Sequence, residues 1–357
     1  MAAAKMESWR IADDRYVDAV RWLPSVSPYH APFMAVGLWD YDRKKTVMEL
    51  CSIEQDEQSS LPITEVHHSF FLPSRVTEMK TSLLPSGKSM VVASSRTGDI
   101  SVLLVSEVVG AQSSPTPVIC AALHKGEVSG LDLEPSSQDC VTVGEDGKIN
   151  VVKVTQSQLQ PKCLFDNSGL MSFSAVCWAS SAEFVTGSVG STLQWWDQRR
   201  PDGPVSQSPA KWANFTGGIN CIDVHPSRKH LCVVGGSEGS VYAWDLRWQQ
   251  APIPLNGRAL QNGRGHILGD SLIGSEVWEV KYDPLLQLAG HMTETGKIPP
   301  VMMCSEDGIL AVLDSGETFE LLSEDCAINT FDIHPESSSN VICGLEFQGF
   351  VYLRRST

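Results

Sequence analysis

An alternating strand closed by proline recurs along the whole chain. Leu131-Asp-Leu-Glu-Pro135, Ile222-Asp-Val-His-Pro226, Val280-Lys-Tyr-Asp-Pro284 and Phe331-Asp-Ile-His-Pro335 agree closely. Val20-Arg-Trp-Leu-Pro24 and Ser82-Leu-Leu-Pro85 are looser copies, and Val176-Cys-Trp-Ala-Ser180 has serine in place of proline. Proline suits a strand end, where its missing N–H breaks no ladder, and the alternation turns one face of each strand inward. The seven copies stand 61, 50, 45, 46, 58 and 51 residues apart.

A second landmark follows six of the seven strands: an apolar run, a glycine turn and another apolar run. Val141-Thr-Val-Gly-Glu-Asp-Gly147 leads into Lys148, Phe184-Val-Thr-Gly-Ser-Val-Gly190 into Ser191, and Leu231 to Gly239 into Ser240. Met90 to Gly98, Val301 to Gly308 and Val341 to Gly349 fit the same frame. Glycine supplies the positive φ that tight hairpin turns demand. Several short strands per unit at a period near 45 residues predict an all-β, seven-bladed β-propeller.

Outer, fourth strands are expected at Pro62 to Val66, Val118 to Leu123, Lys162 to Phe165 and Thr318 to Leu322. The last unit ends at Arg355 without one, so Ser8-Trp9-Arg10-Ile11 is expected to supply it and close the ring, as an open ring would leave sheet edges unpaired. The expected organisation is a single propeller over residues 1–357, with 1–7 disordered, 8–11 as the closing strand, and loop insertions near 256–275 and 286–300.

The chain carries 27 basic and 42 acidic residues, a net charge of −15. Nucleic acid and anionic membranes both call for a basic surface, so direct nucleic-acid binding and membrane insertion are not expected. No apolar run approaches the roughly 20 residues that span a bilayer, and the start lacks the apolar core of a secretory signal. The ten cysteines sit singly in apolar strings such as Leu231-Cys-Val-Val234, with no CxxC, and are expected reduced and mostly buried, in a cytosolic or nuclear compartment.

Trp196-Asp197 and Trp244-Asp245 close the third strands of their units. That dipeptide, with Asp146 and His124-Lys125-Gly126 as partial remnants of the same pattern, resembles the WD40 repeat. The chain is further similar to the WD-repeat nucleoporin-43 family of the nuclear pore's outer-ring, Y-shaped complex. The matching stretches are Thr142 to Asn150, Leu193 to Arg199, Ala243 to Arg247, and above all Ser275-Glu-Val-Trp-Glu-Val280 with Cys304-Ser-Glu-Asp-Gly308. The resemblance implies a WD40-type propeller acting as a non-enzymatic scaffold subunit at the nuclear pore in the nuclear envelope, supporting transport of protein and mRNA. It implies docking on nucleoporin-85, the α-solenoid nucleoporin of the complex's short arm, and no cofactor.

Trp196-Asp-Gln-Arg199 and Trp244-Asp-Leu-Arg247 also match WDxR, a motif that docks some WD40 proteins onto a cullin-type ubiquitin ligase adaptor. Arg199 and Arg247 are therefore the partner-binding candidates of an alternative reading, a ligase substrate receptor. A reader of peptides or histone tails through the central channel is a third.

Catalytic patterns fail on inspection. Gly187-Ser-Val-Gly190 and Gly236-Ser-Glu-Gly239 lie in turn phase and do not match G-x-S-x-G. Gly87-Lys88-Ser89 has serine at 82 where a P-loop needs glycine. His67-His68 and His225 with His230 lack cysteine at zinc spacing and are expected to be solvated loop histidines. Asp132, Asp223 and Asp332 recur in phase, which ties them to architecture. Arg43-Lys44-Lys45, Arg199-Arg200 and Arg354-Arg355 are expected to be solvated surface charge. Trp22, Trp178 and Trp278, all in first strands, are expected in core or inter-blade packing.

Overall fold

The computed structural model describes residues 6–24, 32–55, 62–105, 116–136, 139–155, 158–200, 202–208, 217–245, 252–255, 275–285 and 298–356. Among these, 28 strands form seven four-stranded antiparallel sheets. Blades 1 to 6 each use four consecutive strands, inner to outer. Blade 7 takes Ile328–Ile333, Asn340–Leu345 and Gly349–Arg355 from the C-terminal end and Met6–Ile11 from the N-terminal end. The ring is thus a seven-bladed propeller closed by the N-terminal strand. That strand starts two residues before the expected Ser8, because Met6 and Glu7 pair with Arg355 and Arg354 and so continue the ladder. Trp9 stacks on Tyr352 across this seam, with ring centroids 5.5 Å apart.

The inner strands are Tyr16–Trp22, Val76–Leu83, Val128–Leu133, Phe173–Trp178, Ile219–Val224, Val277–Tyr282 and Ile328–Ile333. Each ends where the sequence places its proline or serine. The residue before the proline then ties the following turn: Glu134, His225, Asp283 and His334 accept backbone N–H bonds from Ser136, Ser227, Leu285 and Ser337 at 2.9 to 3.1 Å. His225 is buried against Tyr282 of the next blade, at 4.9 Å, and so is not a solvated loop histidine. His67 and His68 also differ from expectation, since both lie within the outer strand Pro62–Leu72 and His67 bonds Ser52 at 2.8 Å.

The core is divided among the blade interfaces. Seven buried clusters each join two neighbouring blades, and the one between blades 7 and 1 includes Trp22, Met34, Ile342 and Tyr352. Burying each large apolar side chain contributes about 1.5–3 kcal/mol, so a missing blade would expose two such clusters.

Five hairpins share one turn, closed by an N–H to C=O bond from the fourth residue to the first: Ser95–Gly98, Gly144–Gly147, Ser188–Ser191, Gly236–Gly239 and Ser305–Gly308. The fourth residue takes positive φ, 72° to 87° at the four glycines. In blade 4 the sequence phase is off by one: Ser191, not Gly190, adopts the left-handed conformation, at φ 62°. Blade 1, absent from the glycine frame, uses Lys44 at φ 51°. The outer strands of blades 4 and 5, Ser206–Gln207 and Ile253–Pro254, are two-residue edges that no hydrophobic period could reveal. The expected insertions at 256–275 and 286–300 lie almost wholly outside the described residues.

Candidate interaction surfaces

Each inner strand carries a β-bulge after its first buried residue, which re-aims one side chain toward the neighbouring blade. Thr77, Ser129 and Ser174 donate hydroxyl bonds of 2.5–2.6 Å to the carbonyls of Val128, Phe173 and Ile219 in the next blade. Asn220 and Asn329 donate amide bonds of 3.4 Å to Val277 and Val17, and Asp18 accepts the Val76 N–H at 3.2 Å. Trp278 holds this position in blade 6.

Deeper in the channel the in-phase aspartates do the same work. Asp132, Asp223 and Asp332 accept the backbone N–H of Trp178, Tyr282 and Trp22, each in the following blade, at 2.7 to 2.8 Å. Blades 2 and 6 put lysine in that phase and move the acid two residues back: Glu78 and Glu279 accept from Leu131 and Phe331 at 2.8 and 3.1 Å. Lys80 lies 3.1 Å from Glu78, Lys281 lies 2.6 Å from Asp332, and the buried Arg21 lies 2.8 Å from Glu279.

Arg21, Glu78, Lys80, Asp223, Glu279 and Lys281 line a cavity of about 340 Å³ on the ring axis. Burial opposes the charge on Glu279, yet Arg21, Lys281 and Lys80 overcome it and hold its carboxyl at about 2. Burial pushes Asp223 up to about 6 against its bond from Tyr282. The recurring acids are therefore engaged in joining blades, and their phase follows from the inner-strand register.

Of the WD-type positions, Trp196, Asp197 and Trp244 are buried, and Asp146 and Asp245 are half-buried. His124 bonds Asp146 through Nδ1 and Thr142 through Nε2, both at 2.9 Å, and Asn150 lies 3.1 Å from Nε2. Burial lowers the His124 pKa, and its bond to Asp146 resists that shift. Trp196 donates from its indole nitrogen to Thr186 at 2.9 Å, stacked beside Phe184. Trp244 is buried between blades 4 and 5, and Asp245 ends its strand half-buried.

Asp197 lies in the WDxR turn. Its carboxylate receives three bonds from Arg199, two from the guanidinium at 2.7 and 2.8 Å and one from the backbone N–H at 3.0 Å. Those side-chain and backbone bonds lower the Asp197 carboxyl to about 2. The Arg199 side chain is 69 % exposed, and Arg247 lies outside the described residues.

Two surface features emerge only from the fold. A recess of about 440 Å³ between blades 1 and 2 is lined by Trp39, Lys44, Lys45, Phe71 and Arg75. There Lys45 lies 5.0 Å over the exposed Phe71 ring, and Arg75 stacks 4.2 Å from Tyr16 while pairing with Asp18. The second is Trp278, 37 % exposed, whereas Trp22 and Trp178 are buried. The expectation of core or inter-blade packing is corrected for Trp278, because the bulge reverses the alternation at its position. Among the described residues no group of three histidine, cysteine or acidic side chains is arranged to hold a metal ion. No cysteine is paired with another; six are buried and Cys163 is exposed.

Comparison with known proteins places relatives along the full ring. The chain is 40% identical over 358 aligned positions to the nuclear pore complex protein NUP43 of Arabidopsis thaliana, covering 97% of each. It is 26% identical to nucleoporin Nup43 of Homo sapiens over 94% of this chain and 82% of that protein. It is 28% identical to nucleoporin Nup43 of Mus musculus over 56% of this chain and 46% of that protein. No family model matches the chain.

Proposed function

The chain belongs to the Nup43 family of nuclear pore proteins, and from that membership we propose that it is a non-enzymatic structural subunit of the pore's outer ring. It resides in the nuclear pore complex at the nuclear envelope. A helical nucleoporin of the short arm, nucleoporin-85, holds it in the Y-shaped complex, where it supports pore assembly and so the transport of protein and mRNA. The observation that carries this reading is collinear similarity across all seven blades to a nuclear pore protein. The engagement of Asp132, Asp223, Asp332, Glu78 and Glu279 in inter-blade bonds supports a rigid, non-catalytic disc.

The WDxR turn gives the ligase reading little to use. Arg199 is bound by Asp197 of its own motif, so the arginine closes a turn. Affinity capture of the tagged full chain from a nuclear extract tests the assignment. Outer-ring nucleoporins are expected as the main partners. A cullin adaptor or a histone in their place would overturn it.

A further inference from the structure

The turn tips that ring one face of the disc divide by charge. Those of blades 3, 5, 6 and 7 carry Glu145, Asp146, Glu238, Glu306, Asp307 and Glu346, with no lysine or arginine. The blade 1 turn mixes Asp40 and Asp42 with Arg43 and Lys44, and blade 2 carries Arg96. Exposed apolar and aromatic side chains stand on both sides of this divide: Val189 in blade 4 is 62 % exposed, Phe347 in blade 7 is 56 % exposed and Tyr41 in blade 1 is 74 % exposed.

Trp278 stands at the channel mouth on the acidic side of the divide. The other six blades hold a short polar residue there that bonds the next blade; blade 6 presents an indole instead. The indole N–H donates to Glu306 at 2.7 Å, which fixes the ring. Trp278, Val189, Glu127 and Glu145 line the same cavity. An aromatic face with carboxylates around it attracts a cation, and a partly desolvated site strengthens that attraction.

We propose that the channel mouth at Trp278 receives a lysine or arginine side chain from a basic, extended protein segment laid across the turns of blades 3 to 7. The long stem of such a side chain packs on Val189 and the indole while its charge stays near Glu145 and Glu127. The proposal is independent of which complex the chain joins.

Fluorescein-labelled peptides of alternating lysine and glycine, and of alternating glutamate and glycine, test this by anisotropy with the full chain at low salt. Trp278→Asn is the key variant, since asparagine is what blades 5 and 7 use and it can bond the Ile328 carbonyl. It is expected to keep the melting temperature and to weaken the lysine peptide about tenfold. Trp278→Phe keeps an aromatic face and is expected to retain most of the binding. Glu145→Gln, at an exposed turn tip, is expected to weaken it about threefold and serves if the asparagine variant unfolds. Equal binding by wild type, Trp278→Asn and Glu145→Gln would overturn the proposal. So would equal binding of the glutamate peptide, or failure of wild type to bind the lysine peptide.

Discussion

The Asp332 carboxylate accepts the backbone N–H of Trp22 at 2.8 Å, joining the last blade's inner strand to the first across 310 residues of sequence. Lys281 holds the other oxygen of the same carboxylate at 2.6 Å. One side chain thus links three blades at the point where the ring closes, and the closing strand Met6–Ile11 completes the same blade at its outer edge.

Asp332→Ala is therefore expected to destabilise the ring by about 2–3 kcal/mol, since it strands a buried N–H and removes a charged partner. Asp14→Asn, at an exposed position outside the network, is expected to stay within about 0.5 kcal/mol of wild type. Urea unfolding of the two variants measures the difference. Equal midpoints would show that the seam does not depend on this carboxylate.

Deleting residues 1–12 leaves the Gly349–Arg355 strand as an unpaired edge and removes the Trp9–Tyr352 stack. The melting temperature is expected to fall by several degrees. Gly349→Ala is a milder version: φ is 86°, and a new Cβ would meet the Ile11 carbonyl oxygen at 2.1 Å. The strain costs about 1–2 kcal/mol before any displacement of the N-terminal strand. Truncated protein that melts with the full chain would refute closure by this strand.

Two channel carboxylates are expected to act in opposite directions with pH. Asp223 has its folded pKa raised to about 6, so its stabilising contribution is full below the ordinary carboxylate range and is lost as pH rises through 6. Asp223→Asn should be more stable than wild type by about 1–2 kcal/mol at pH 8, after allowance for water in the channel, with the gap closing by pH 4. Glu279 has its folded pKa lowered to about 2. Its contribution is present above the ordinary range and disappears as pH falls through 2, so Glu279→Gln should cost most at neutral pH. Stability curves for the two variants that run parallel to wild type would contradict both assignments.

Much of this was legible in the sequence because each landmark marks a local physical demand. Proline stands where an inner strand must end, and glycine where a turn needs positive φ. Asp132, Asp223 and Asp332 were readable as architecture from their phase. Glu78 and Glu279 were not, because lysine fills the aspartate phase in their blades and the acid shifts two residues along the same face. Trp278 misled for a related reason: a bulge is a matter of pairing register, which one strand's alternation does not encode. The two-residue outer strands at Ser206 and Ile253 owe their existence to neighbours rather than to any pattern of their own.

The cysteines offer a check on the interior. Denatured, non-reduced protein is expected to titrate all ten thiols. In the native state Cys163, the exposed one, should react first, while Cys140, Cys177 and Cys304 resist because burial raises their pKa well above the usual value. A denatured count short by two or more would reveal a disulfide.

The role as an outer-ring subunit is tested most directly by imaging the tagged chain in cells beside the Arg199→Ala, Arg247→Ala double variant. A punctate nuclear rim is expected for both, lost when the helical nucleoporin of the short arm is depleted. A diffuse signal that follows a cullin adaptor, and that the double variant abolishes, would contradict the account.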